Sequence, residues 1–218
     1  MRVDPSLSPP AFDDDFRTQL HDLFAWRRDV RHFRPDPLPS GALDRLMSTV
    51  CLAPSVGLSQ PWRFVVVDSP ARRAAIRANF LRSNAAGLAS QSEGARPSYA
   101  RLKLAGLDEA PCHLAAFADP STEQGRGLGR HTMPETIAYS AVMAVHTLWL
   151  AARAEGIGLG WVSILDPGEA RGSLDVPAAW TFLGYLCLGY PVAEDEVPEL
   201  EREGWEARRP ASDVLVWR

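Results

Sequence analysis

Lysine is almost missing from this sequence. Lys103 stands alone among 23 basic residues and the other 22 are arginine, a skew that fits a GC-rich coding bias better than a function. Neither sign of charge is in large excess. The formal net charge is −4 and the pI about 5.7, which excludes a general nucleic-acid binder. Cysteine is scarce and odd in number. Cys51, Cys112 and Cys187 lie far apart in apolar runs, which predicts buried free thiols in a reducing compartment and no disulfide framework. No apolar run reaches membrane-spanning length, and residues 1–10 lack the apolar stretch of a secretory leader. A cytoplasmic protein without a membrane partner is therefore expected. Metal-ligand spacing is missing too. His21, His32, His113, His131 and His146 fall at no usable interval from one another or from the cysteines, so no metal site is expected. There is no Walker loop. Gly156-Ile157-Gly158-Leu159-Gly160 has the glycines of a dinucleotide fingerprint, but it precedes a strand and does not join a strand to a helix.

What is present suits one domain over residues 1–218. Hydrophobic residues make up 46% of the chain, enough for a sizeable core. Residues 1–12 read as a loose arm. Residues 13–26 form an amphipathic helix, with Phe16, Leu20, Leu23 and Phe24 on one face and acids in its first turn. Ser40 is placed to cap a second helix whose inner face is Leu43, Leu46, Met47 and Val50. Ser69-Pro70 opens a third. The pattern then fades over 83–97, where a mobile lid or a plain surface excursion fits equally. Pro134 opens what reads as the longest helix, apolar nearly all round and ended at Gly156. Strands are expected at 64–67, 112–118, 158–165 and 182–190, and Asp166-Pro167 starts another helix. Strands alternating with helices suggest a parallel sheet. Residues 197–218 form a charged arm ending in Val214-Leu215-Val216-Trp217. A short strand there is expected to dock on a partner subunit.

The chemistry concentrates in Arg27-Arg28-Asp29-Val30-Arg31-His32-Phe33. Arg27 and Arg31, four apart, point the same way on a helix or tight turn. Guanidinium is a planar fork suited to phosphate, and an acid among arginines is held ionised unless desolvation wins. Alone, such a heptamer reads as a solvated charge cluster. Two further blocks change that reading: Ala53-Pro54-Ser55-Val56-Gly57-Leu58-Ser59-Gln60-Pro61-Trp62, and residues 151–163 ending in Gly158-Leu159-Gly160-Trp161-Val162-Ser163. The glycines of the latter allow close approach of a ligand or of backbone.

In this order the three blocks resemble the flavin-binding blocks of the nitroreductase superfamily, over about residues 16–209. Most members carry serine where this chain has Asp29. The acid there, with Trp161-Val162-Ser163-Ile164-Leu165-Asp166-Pro167, resembles the 5,6-dimethylbenzimidazole synthase branch. The resemblance implies an α+β fold with a mixed, mainly antiparallel sheet flanked by helices, in place of the parallel sheet suggested by the pattern alone. It implies an intertwined homodimer with FMN at the interface. It implies that reduced FMN is consumed with O2, giving 5,6-dimethylbenzimidazole, the lower ligand of vitamin B12, and erythrose 4-phosphate from the ribityl chain. By motif position, Arg27, Arg31 and Arg208 would hold the phosphate. Arg28, Val30 and Ser55 would lie along the flavin, and Ser163 and Ile164 would touch its ring. Asp29 would move protons, with Ser163 holding geometry. The source of reduced FMN stays open, with NAD(P)H as an indirect reductant and a separate flavin reductase as candidates. An NAD(P)H-dependent nitroreductase or quinone reductase is the alternative, and a flavin-storage protein the third reading.

Overall fold

The structure, a computed structural model, describes residues 8–101 and 106–218. The part of the expected arm at 1–7 lies outside these, as do Leu102 and Leu104, which with Tyr99 carry a short helical pattern in the sequence. Four strands form one sheet: β1 (Trp62–Val66), β2 (Cys112–Ala118), β3 (Gly158–Val162) and β4 (Thr181–Gly189). Their order is β1-β2-β4-β3 and every pairing is antiparallel, so the alternation of elements misled and the α+β reading holds. Helices reach antiparallel neighbours as easily as parallel ones, so alternation does not decide sheet sense. The middle strands β2 and β4 are almost wholly buried, which explains their continuous apolar runs.

Helix α1 (Asp14–Trp26) is capped by Asp13, whose carboxylate accepts from Phe16 N at 2.8 Å. Helix α2 (Ala42–Val50) starts from Gly41 in a left-handed conformation (φ 74°), not from a Ser40 cap. Ala42, Leu46 and Val50 are its buried residues, with Leu43 and Met47 beside them. Helix α3 (Pro70–Ser90) has the expected Ser69 cap and Pro70 start, but runs to Ser90 and is the longest helix described. Small residues with little period thus proved helical; α4 (Arg96–Arg101) and α5 (Gly106–Glu109) follow.

Helix α6 (Thr136–Ala154) ends at Gly156 with φ 72°, as expected. By length and hydropathy it could cross a membrane, contrary to the expectation from the sequence; here Ala141, Ala144, Val145 and Leu148 are buried in the core beside the sheet. Its other face is open in the single chain: Tyr139, Val142 and Met143 are exposed. Helix α1 lies beside it, with Phe24 stacked near His146, and contributes no buried residue. Helices α7 (Pro167–Leu174) and α8 (Glu199–Arg202) complete the set. Residues 214–217 form no strand here and are exposed. All three cysteines are free, but Cys51 is exposed and only Cys187 is fully buried.

Candidate functional site

The heptamer after α1 is neither helix nor tight turn. It is extended, with a parallel bridge from Asp29 to Leu159 and an antiparallel one from Phe33 to Pro191. Period two then puts Arg27, Asp29 and Arg31 along one side of the segment, a different geometry with the same outcome as the expected four-residue spacing. Val30 N–H donates to Leu159 O at 3.0 Å. The glycines of β3 serve this approach: a Cβ on Gly158 would stand 2.7 Å from the Val30 side chain, and one on Gly160 would overlap the Val30 carbonyl. The close partner of Gly158 and Gly160 is therefore backbone of the arginine segment.

Two tryptophans from α6 and β3 order the charges. Trp149 Nε1–H donates to Arg28 O at 2.9 Å, and the Arg27 guanidinium carbon lies 4.6 Å from the Trp149 ring centroid. Trp161 N–H donates to Asp29 Oδ1 at 2.8 Å. Arg28 is committed to main-chain carbonyls. Its Nε donates to Asp195 O at 2.9 Å, and its other nitrogens donate to the carbonyls of Ala25, Arg27 and Glu196. It closes the C-terminal end of α1 and ties it to the segment before α8.

Arg31 is different. Its side chain is 9% exposed, yet Nε and Nη1 are buried with no hydrogen-bond acceptor among the described residues. Asp29 Oδ2 stands 3.9 Å from Nε and Glu199 Oε1 3.6 Å from Nη1, close enough for charge but not for a hydrogen bond. A buried guanidinium with orphan donors is costly unless an acceptor arrives. Beside it is a cavity of about 180 Å³ lined by Arg27, Arg28, Asp29, Arg31, Glu199 and Arg208. A second, of about 190 Å³, meets it at Arg28, Asp29, Arg31 and Glu199. Desolvation lowers the pKa of Arg27 and Arg28, and Arg208 adds to both effects. Arg27, Arg31 and Arg208 line one cavity, and the phosphate end of FMN would suit their donors.

At Asp29 burial wins: desolvation raises its pKa against the Trp161 hydrogen bond and the pull of Arg31 and Arg27, with Glu199 adding to the rise. Arg27, Asp29, Arg31 and Arg208 are thus brought together. Val30 packs beneath them, in contact with the core that holds Phe33. Ser163 and Ile164 follow β3, two and three residues after the tryptophan that binds Asp29. Ser163 is exposed, and Ile164 is half-buried against the core. Ser55 does not join them. Its Oγ accepts from Gln60 N, and its loop is fixed by Val56 N–H donating to Ser140 Oγ. Ser140 lies nine residues before Trp149 on α6, about 13 Å along the axis at 1.5 Å per residue. Glu199 and Trp149 carry no site signal in the sequence, and Trp161 enters it only as the first residue of the 161–167 block. Glu199 sits in a polar arm, and Trp149 sits on an apolar helix where an aromatic is expected. His113 is core: its Nε2–H donates to Ala110 O and Nδ1 accepts from the Tyr185 hydroxyl, and burial lowers its pKa to about 4. Among the described residues no cluster of His, Cys, Asp and Glu could hold a metal ion.

The nitroreductase family model matches residues 24–190. The 5,6-dimethylbenzimidazole synthase of Rhodospirillum rubrum is 60% identical over 201 residues, covering 92% of this chain and 95% of that protein. The 5,6-dimethylbenzimidazole synthase of Rhodobacter capsulatus is 47% identical, covering 91% and 96%. Among solved structures, oxidized iodotyrosine deiodinase bound to FMN and 3-iodo-L-tyrosine superposes with a TM-score of 0.68 at 26% identity, covering 81% of this chain and 91% of that one. A chain whose Asp29-bearing arginine segment sits against β3, and which matches these proteins over most of its length, belongs to the nitroreductase family, in the group of the 5,6-dimethylbenzimidazole synthases.

Proposed function

We propose that this protein converts reduced FMN and O2 to 5,6-dimethylbenzimidazole, releasing erythrose 4-phosphate. The observation that carries the reading is Asp29: an acid set among phosphate-binding arginines, tied to β3 through Trp161 and lining the cavity. Reduced FMN is the substrate, and supplies both the electrons for O2 and the ring and ribityl carbons of the products. Arg31, with its two orphan donors, anchors the phosphate beside Arg27 and Arg208. Asp29 Oδ1 is occupied by the Trp161 N–H, so Oδ2 is the atom that exchanges a proton with the substrate. Its raised pKa brings that exchange nearer neutral pH. Ser163, exposed just after β3, orients the reacting edge by hydrogen bonding.

The working unit in this proposal is a homodimer. The exposed faces of α1 and α6, including Phe16, Leu20, Phe24, Val142 and Met143, are too apolar to remain in water. Strand β1 is an edge of the sheet, and residues 214–217 of a second copy supply a strand for it. A second copy also brings a Ser55 loop to an arginine cluster that its own Ser55 does not reach. Residues 1–218 act as one domain, and the free thiols Cys112 and Cys187 suit the cytoplasm.

The test is to mix the protein with chemically reduced FMN, admit air, and identify small molecules by mass spectrometry. Stoichiometric 5,6-dimethylbenzimidazole supports the proposal. Complete recovery of intact oxidised FMN refutes it, and turnover of nitro compounds or quinones with NAD(P)H as reductant then establishes the alternative.

A further inference from the structure

Asn79 lies on α3, away from the arginine cluster, and is 1% exposed. Ile76, three residues before it, and the adjacent Phe80 are core residues, so packing alone calls for an apolar side chain here. A buried amide is costly unless both ends are bonded. Both are. Nδ2–H donates to Asp166 O at 2.9 Å, and Oδ1 accepts from Asp166 N–H at 2.8 Å. Ser83 Oγ–H donates to the same Oδ1 at 3.2 Å. The amide therefore grips one backbone unit by both its N–H and its C=O, as a neighbouring strand would.

That unit ends the turn bearing Ser163 and Ile164. Val162 and Leu165 are buried on either side, and Leu165 N–H donates to Ser163 O at 2.9 Å, closing the turn. Asp166 also caps α7, accepting from Glu169 N–H at 2.8 Å. Asn79 thus holds, from another helix, the main chain at the point where the turn passes into α7.

We infer that Asn79 is a positioning residue: through Asp166 it sets the turn that presents Ser163 and Ile164 to the flavin ring. The inference rests on the proposed function for the identity of the ring, but not for the mechanical link. Asn79→Leu removes both bonds and keeps the branching at Cγ, with a somewhat larger side chain. Asn79→Asp keeps the acceptor and loses the amide donor; protonation restores a donor toward the Asp166 carbonyl.

The experiment measures, for parent and both variants, the FMN dissociation constant, the visible circular dichroism of bound FMN, and the benzimidazole formed per reduced flavin oxidised. The phosphate contacts are remote, so FMN affinity should stay within about twofold of the parent. Displacement of the turn should lower product per flavin by about 10- to 100-fold, with an altered dichroism of the bound ring. The deficit of the Asn79→Asp variant, relative to the parent at each pH, should shrink as pH falls. Parent-like product yield and dichroism in the variants overturn the inference. So does a loss that merely tracks weaker FMN binding, because a structural role alone predicts that. If Asn79→Leu does not fold, Asn79→Asp decides. If the parent itself makes no benzimidazole, the proposed function has failed, and the dichroism of bound FMN still judges Asn79.

Discussion

Replacing Asp29 with asparagine should separate binding from chemistry. The amide oxygen can keep the 2.8 Å bond from Trp161 N–H, so the segment should stay on β3. The amide nitrogen would face Arg31 Nε, but that contact is 3.9 Å in the parent and carries no hydrogen bond to lose. Removing a negative charge from the phosphate cradle leaves FMN affinity equal or tighter. The variant cannot exchange a proton at the former Oδ2. General acid–base groups are worth about 10²–10⁴-fold, which is about 2.7–5.4 kcal/mol of barrier at 1.36 kcal/mol per tenfold. Benzimidazole formation should fall by that factor, and any limb of the parental pH–rate profile due to Asp29 should vanish. Stability should move the other way. The folded carboxyl has a raised pKa, so the folded state holds its proton to higher pH than the unfolded chain does. Its cost therefore appears as pH rises from the ordinary 3.8 through the raised value, and persists above it. The variant should melt higher than the parent at neutral pH, with the gap closing below the ordinary carboxylate pKa. FMN affinity by fluorescence quenching, product yield and a melting series against pH read all three. Parental turnover in Asp29→Asn would make the acid a structural partner of the arginines and refute the assignment.

Arg31→Ala should weaken FMN binding by roughly 2–5 kcal/mol, the cost of truncating a buried charged contact, read by the same quenching titration. Binding within twofold of the parent would remove Arg31 from the phosphate cradle. Glu199→Gln should tighten binding of FMN and of inorganic phosphate, because it removes the carboxylate now 3.6 Å from Arg31; weaker binding would show that Glu199 helps to hold the ligand. Deleting residues 211–218 should weaken dimerisation and FMN binding together. Light scattering that shows an unchanged dimer with normal FMN affinity would exclude the proposed role of the arm.

The sequence alone determined the local features whose physics is local. The helix starts at Ser69-Pro70 and Asp166-Pro167, the stop at Gly156 and the apolar strands β2 and β4 depend on neighbours a few residues away, and each stands within a residue of its expected place. It also placed Arg27, Asp29 and Arg31 together, since residues so close in sequence share a site in almost any conformation. The resemblance to flavin-binding blocks supplied the antiparallel sheet that periodicity could not. Tertiary structure decided the rest. Residues 83–90 have little periodicity, yet they continue α3. That the heptamer is extended follows from pairing with β3, made possible by Gly158 and Gly160, which are over a hundred residues away. Glu199 and Arg208 reach Arg31 only because the arm folds back over it. The sign of the Asp29 shift depends on how desolvation balances two arginines, which composition cannot weigh. Asn79 shows no signal among ordinary helix residues. Its meaning lies in the backbone it grips 87 positions later, and such a long-range contact leaves no trace in local pattern.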